Sequence, residues 1–442
     1  MKENPILTGK RWASLLLLLA SLGVSMSLGT GLWMSAKRGR FLDFQYVYYS
    51  TLCLMQHRDP YDSAILKQTY AAQAAGHPAG FIDRPENVGA SVYPPTAFVM
   101  IAPLAALPWN LASLVWLAIL AVSLYVAAWL MSSAVGGLPS GGVLFLVCFL
   151  LANSEILFGG GNAAGVAVSL CLIAVWCFLE DRSIKLGIVC LAVSLALKPH
   201  DAGFVWLYFA LAGGRYRRRA LQCLGVCAVI GLAAIVWTSN TVPNWSTEWQ
   251  NDLRASLTPG TGNDPGSGTA GVLVNLQTVI AVFRNDPRFY NYMTYAVCGS
   301  LLAVWAIAAF RWGASSHNIW FGLAAVAPLT LLVTYHRPYD AKLLLLTIPA
   351  FATLSSGGGL LARVAFAITS LGIFLTSDIP IATLDAIGQR FRIQSAGLGG
   401  EILTVALSRP APIGLLITAI FYLWIFIRRT RARSSQEVAD FA

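Results

Sequence analysis

Asp43 lies at the start of FLDFQYVYYSTLCLMQHRDPYD, residues 41–62. A carboxylate held against apolar walls is pushed toward a higher pKa and can act as a general base near neutral pH. In the same place it can simply cap the following helical turn. LLANSEILFGGGNAAG, residues 150–165, adds Glu155, glycines at 159–161 and Asn162. The glycines allow close backbone approach, and Asn162 suits a helix cap or a ligand contact equally. LKPHD, residues 197–201, brings Lys198, His200 and Asp201 together. Lys198 either snorkels to a membrane boundary or holds a phosphate as a point charge. The densest cluster is TYHRPYDAK, residues 334–342, with His336, Arg337, Asp340 and Lys342. Its cations suit a phosphate or pyrophosphate, and the alternative is a solvated hairpin.

Two further segments carry weaker signals. Trp245, Glu248, Trp249, Asp252 and Arg254 precede the Gly-rich stretch TPGTGNDPGSGTAG. Aromatic and carboxylate side chains together suit carbohydrate, while tryptophans also anchor proteins at membrane interfaces. The Gly-rich stretch reads as a flexible lid. In HRDPYD, residues 57–62, Asp59-Pro60 signals a turn and Asp62 caps a helix over about 63–76. No P-loop, H-E-x-x-H or G-x-S-x-G motif occurs, and no D-x-D. ATP-driven transport and soluble nucleotide-sugar chemistry are therefore disfavoured. The eight cysteines form no C-x-x-C, and seven lie in apolar runs. They read as small buried apolar residues rather than a disulfide or zinc framework.

The elements that must position these groups are membrane helices. The chain has 442 residues, 57% hydrophobic and only 11% charged, whereas a soluble domain carries about 25% charged residues. Roughly thirteen long apolar runs can be traced. Approximate limits are 12–34, 94–108, 109–131, 140–157, 161–179, 184–197, 199–213, 219–238, 292–310, 317–335, 340–356, 360–377 and 410–427. The first reads as an uncleaved span, because no small-residue cleavage site follows it. Lys2, Lys10 and Arg11, the Arg215–Arg219 group, and Arg428–Arg433 all belong on the cytoplasmic side by the positive-inside rule. One run must then fail to cross. The proline-rich 94–108 is the choice, as an interfacial or re-entrant segment. The expectation is an all-α polytopic membrane protein of about twelve spans, with both termini cytoplasmic.

Residues 1–427 form one unit in this reading, and 428–442 form a basic, disordered cytoplasmic tail. Residues 35–108 form a helical first extracytoplasmic loop, and 239–291 form another outer loop. Phe41, Phe44, Tyr48, Leu52 and Met55 recur at helical spacing, which predicts an amphipathic helix at the interface. The net charge of +10 is assigned to the cytoplasmic face. It is a topology signal that also favours anionic lipid, and nucleic-acid binding is unnecessary to explain it.

In this order, these residues resemble the polytopic glycosyltransferases of the C-type superfamily, and glycosyltransferase family 87 in particular. The matching features are Asp43-Phe44-Gln45-Tyr46-Val47-Tyr48-Tyr49, DPYD at 59–62 and YPP at 93–95. Gly161-Asn162, Lys198-Pro199 and the His336 hairpin complete them. The basic run Lys37, Arg38 and Arg40 ahead of Asp43 departs from a clean positive-inside pattern. The resemblance covers most of the chain up to about residue 357.

The resemblance implies a GT-C-like fold and an enzyme of the inner membrane. A hexose, mannose by family default, would move from a polyprenyl-phosphate donor to a lipid or glycan acceptor at the extracytoplasmic face. Transfer would be inverting, with Asp43 as general base. Lys198, His336, Arg337 and Lys342 would bind the donor phosphate. Tyr93, Glu155, Asn162, Asp201, Trp245, Glu248 and Asp340 would contact the substrates. No metal or other cofactor is expected. The alternatives are a transporter or flippase of lipid-linked glycans, and a lipid-linked glycan polymerase or ligase.

Overall fold

The computed structural model describes residues 5–35, 41–73, 91–134, 136, 139–313, 318–390 and 397–440. No strand occurs among them. The basic run at 37–40 and residues 74–90 lie outside the described residues.

The chain opens with α1 (Pro5–Ser35), then α2 (Leu42–Met55), α3 (Ser63–Gln73) and α4 (Pro95–Ala105). A long α5 (Trp109–Ser133) precedes α6 (Gly141–Ala152), the six-residue α7 (Glu155–Gly160) and α8 (Ala163–Leu179). Next come α9 (Ile184–Leu197), α10 (Pro199–Ala212), α11 (Gly214–Thr241), α12 (Trp245–Ser256) and α13 (Gln277–Phe283). The remainder is α14 (Pro287–Trp312), α15 (Ile319–Val333), a 3-10 segment Asp340–Leu346, α16 (Thr347–Ser355), α17 (Gly359–Leu375), α18 (Asp378–Arg390), α19 (Gly397–Ser408) and α20 (Ala411–Asp440). Local chemistry sets several starts. Pro199 and Pro287 occupy first-turn positions, where the missing N–H costs nothing. Ser140 caps α6 and Asp286 caps α14 through side-chain oxygens.

Among the described residues, six helical segments, α6 and α7 counted as one, are long and apolar enough to cross a membrane, and α17 with α18, bent by 69°, would make a seventh. The other expected spans are shorter helices. Breaks at 180–183, where Asp181 and Ser183 have positive φ, and at Lys198 separate α8, α9 and α10, and α16 has only nine residues. Apolarity in such runs reports packing against protein as much as contact with lipid. From Ile319 to Leu332, α15 is buried except at Trp320.

The helix α4, over the 94–108 run, has eleven residues with Pro103 inside it. At 1.5 Å per residue it is about half the hydrocarbon thickness. It packs on α2, α9 and α11. Two expectations are corrected. The first concerns α2, which is buried around nearly its whole circumference and so is a core helix rather than an amphipathic one. Its aromatic residues find partners on both sides. The second concerns the tail, where α20 runs on to Asp440. RRTRARSSQEVAD contains neither proline nor glycine to stop it.

Candidate active site

The site begins where α2 meets the turn between α7 and α8. Phe44 stacks on Trp116 at 4.8 Å and on Trp109 at 5.6 Å between ring centroids. Tyr48 donates its hydroxyl to Leu107 O at 2.7 Å. These contacts fix the rotation of α2, so Asp43 in its first turn faces Asn162. The chain enters α2 through Phe41 in a left-handed conformation, with its N–H on Gly159 O at 2.8 Å. Opposite it, Gly161 is also left-handed at φ 63°. A Cβ there would lie 2.9 Å from the Phe41 ring. Trp116 Nε1 donates to Gly161 O at 2.7 Å.

Asn162 does both things its sequence context allows. Its Oδ1 accepts the Ala164 N–H at 2.8 Å and caps α8, while its Nδ2 donates to Asp43 Oδ2 at 2.8 Å. The Asp43 carboxylate makes no cap bond to its own helix and is aimed at the site. Burial raises its pKa above the ordinary carboxylate value. The Asn162 hydrogen bond and the charges of Arg337 and Lys198 only partly offset this. Tyr93 lies beside it, with its hydroxyl 3.5 Å from Asp43 O.

Two carboxylates and their partners form the adjoining wall. Lys198 is buried, not snorkelling. Its Nζ is 2.8 Å from Asp340 Oδ1 and 3.8 Å from Asp201 Oδ2, and it sits over the Tyr339 ring. Asp340 Oδ2 accepts the Arg337 N–H at 2.8 Å, which folds the hairpin back on itself. His336 is fully buried, with Nε2 3.2 Å from Asp201 Oδ1 and Nδ1 3.1 Å from Thr334 O. His200, Asp201 and His336 place three potential metal-ligand atoms within 4.8 Å of one another. Arg337 reaches Tyr335 OH at 2.6 Å and Asn263 Oδ1 at 3.0 Å, tying the hairpin to the Gly-rich stretch. Arg409 donates to Pro265 O, Ser267 O and Thr278 O. The expected lid is therefore pinned at several points.

Other expected site residues lie elsewhere. Lys342 donates to Asn153 O at 2.6 Å and to Leu150 O at 3.4 Å. It belongs to a second buried cluster with Glu155 and Asp378. Asp378 Oδ2 accepts the Ile156 N–H at 2.8 Å. Trp245 and Glu248 lie on α12, which has no buried residue. Trp249 Nε1 ties this helix to Val92 O at 3.1 Å. Glu248 is raised to about 7 and Asp252 to about 6, first by desolvation and then by Asp59 nearby. Asp59 and Asp62 have the structural roles expected of them. Asp59 accepts the Tyr61 N–H, and Asp62 caps α3 through the Ala64 N–H. The sequence reading missed Tyr335, Tyr339 and Asp378. The tyrosines could have been found as the aromatic neighbours of TYHRPYDAK, but Asp378 follows a span with no motif around it.

The site thus joins a buried carboxylate with an amide that orients it and a wall of paired cations. Neither a curated protein nor a solved structure matches the chain. The sequence profile of glycosyltransferase family 87 matches residues 92–335. That segment holds Tyr93, Asn162, Lys198 and Asp201 and ends one residue before His336, with Asp43 upstream. The match spans more than half of the 442 residues, so the chain belongs to glycosyltransferase family 87.

Proposed function

We propose that this glycosyltransferase moves a hexosyl group, mannosyl by family default, from a polyprenyl-phosphate donor to a lipid or glycan acceptor. The reaction takes place at the extracytoplasmic face of the inner membrane. The observation that carries the reading is the buried Asp43 carboxylate, held by Asn162 at 2.8 Å next to the wall of Lys198 and Arg337. Asp43 takes the proton from the acceptor hydroxyl. The acceptor oxygen bonds to the anomeric carbon from the face opposite the lipid phosphate. The bond from that carbon to the phosphate oxygen breaks, its electron pair stays on the phosphate, and the configuration inverts. Lys198, Arg337 and His336 stabilise the growing negative charge, which is electrostatic stabilisation of the transition state. Tyr93 supports the first turn of α2. The basic ends and the Arg215–Arg219 group support a cytoplasmic side for both termini, which leaves the long loops on the opposite side.

The test is sugar transfer by the purified protein in detergent. Polyprenyl-phosphate sugars are offered to a panel of lipid and glycan acceptors, with Asp43→Asn as control. Transfer that is lost in the variant supports the reading. Movement of a lipid-linked glycan across vesicles without any transfer overturns it in favour of a flippase. Transfer only from a pyrophosphate-linked oligosaccharide favours a polymerase or ligase.

A further inference from the structure

We propose that His200, Asp201 and His336 form a binding site for a divalent transition metal, with zinc the best match to the ligand set. Two imidazoles and one carboxylate suit zinc and its neighbours in the first row. Asp201 Oδ1 is 3.2 Å from His336 Nε2 and 3.8 Å from His200 Nε2. Two ligand atoms in a tetrahedral zinc site with bonds of about 2.0–2.1 Å lie roughly 3.3 Å apart. Those two sides of the triangle bracket the spacing that a shared ion imposes, and all three ligand atoms lie within 4.8 Å of one another.

The unsatisfied atoms point the same way. Among the described residues, both Asp201 oxygens and His336 Nε2 are buried without a hydrogen-bond partner. The 3.2 Å contact between the two residues is close but not aligned as a hydrogen bond. Lys198 Nζ, 3.8 Å from Asp201 Oδ2, compensates the charge but supplies no hydrogen bond. His336 Nδ1 is set against Thr334 O at 3.1 Å. That contact takes up one ring nitrogen and leaves the lone pair on Nε2. A metal-bound histidine is held in the same way, with its other nitrogen on a carbonyl. His200 is the exposed member, its side chain 39% accessible, and so provides the way in. Three protein ligands leave a fourth position open.

Charge supplies a further argument, which rests on the donor reading above. Asp43, Asp201 and Asp340 face Lys198 and Arg337. Three carboxylates against two permanent cations leave the wall short of positive charge before an anionic donor arrives. A divalent ion reverses that balance beside the position of the phosphate.

The experiment measures metal binding without donor or acceptor, so it stands apart from sugar transfer. The full chain, purified without a polyhistidine tag and stripped with chelator, is titrated with Co2+. The visible absorption and the cobalt content are read, and Zn2+ is then added. One Co2+ per chain, with the d–d bands of a nitrogen- and oxygen-ligated ion displaced by Zn2+, is the expected result. His200→Ala removes only the exposed ligand and should weaken binding by tenfold or more. Glu248→Gln with Asp252→Asn controls for adventitious binding at the other acidic cluster and should leave it unchanged. No Co2+ retained by the unaltered chain overturns the proposal and leaves Asp201–His336 a plain ion pair. Equal binding by His200→Ala overturns it as well.

Discussion

Asn162 Nδ2 stands 2.8 Å from Asp43 Oδ2, joining residues 119 positions apart, while the same side chain caps α8. One amide thereby fixes both the start of a helix and the orientation of the proposed base. Asp43→Asn should lower turnover by about 10²–10⁴-fold, the usual contribution of a general base, with donor binding retained. Single-turnover transfer alongside donor-binding measurements would check this, and near-normal turnover would remove Asp43 from the mechanism.

The same contact predicts a pH effect. Turnover needs ionised Asp43, so it falls as pH drops through a pKa that burial has raised above 3.8. Asn162 stabilises the charged form. Asn162→Ala should therefore move the acid limb of the rate profile to still higher pH, and it should cost about 1 kcal/mol of stability through the lost cap. A limb that stays in place would show that Asn162 does not act on the carboxylate.

Lys198 and Asp340 are buried and 2.8 Å apart, with Asp201 behind them. Removing one partner of such a pair costs about 3–5 kcal/mol, whereas replacing both with apolar residues is often neutral. Lys198→Met should lower the thermal midpoint in detergent. Lys198→Met with Asp340→Leu should recover much of that loss but none of the transfer. Recovery of both would place Lys198 outside the donor site.

The site was legible wherever several polar residues crowd into a few positions of an apolar chain. TYHRPYDAK and LKPHD stood out for that reason, and Lys198 does meet Asp340 and Asp201. What the sequence lacked was direction. Lys342 is two residues from Asp340, yet its ammonium turns to Asn153 O and Leu150 O, because the tight 3-10 segment rotates alternate residues to different walls. Glu155 reads as a site residue but is grouped with Asp378, which no motif announces. The all-helical class follows from composition. Helix length was harder to read, because an apolar run such as α15 owes its apolarity to packing against protein and need not be long. The burial of α2 was hidden for a related reason. Its partners Trp109 and Trp116 lie in a different span.

Gly161 holds a left-handed φ of 63°, and a Cβ there would meet the Phe41 ring at 2.9 Å. Gly161→Ala should cost about 1–2 kcal/mol from the backbone alone. It should also push Phe41, and with it the first turn of α2, away from Asn162, so kcat should fall more than donor affinity. Gly203, with nothing within 4 Å of its Cβ position, is the matched control. Gly203→Ala should be neutral or gain up to about 1 kcal/mol of helix propensity. If both variants behave alike, the packing of Phe41 on Gly161 does not position the base.

Glu248 and Asp252 on α12 face Asp59 across a tight contact, with Asp62 near Glu248. Desolvation and these neighbours raise Glu248 to about 7 and Asp252 to about 6. A carboxyl whose pKa is raised in the folded state favours that state most when protonated. The contact is thus strongest below the ordinary carboxylate range and weakens as pH rises through about 6 to 7. Hydrogen exchange over 245–256, corrected for the intrinsic pH dependence, should be slower at acidic than at basic pH. Glu248→Gln with Asp252→Asn should flatten that difference and leave Trp249 on Val92 O in place. The same pH dependence in the double variant would assign it to another group and remove the carboxylates as the cause.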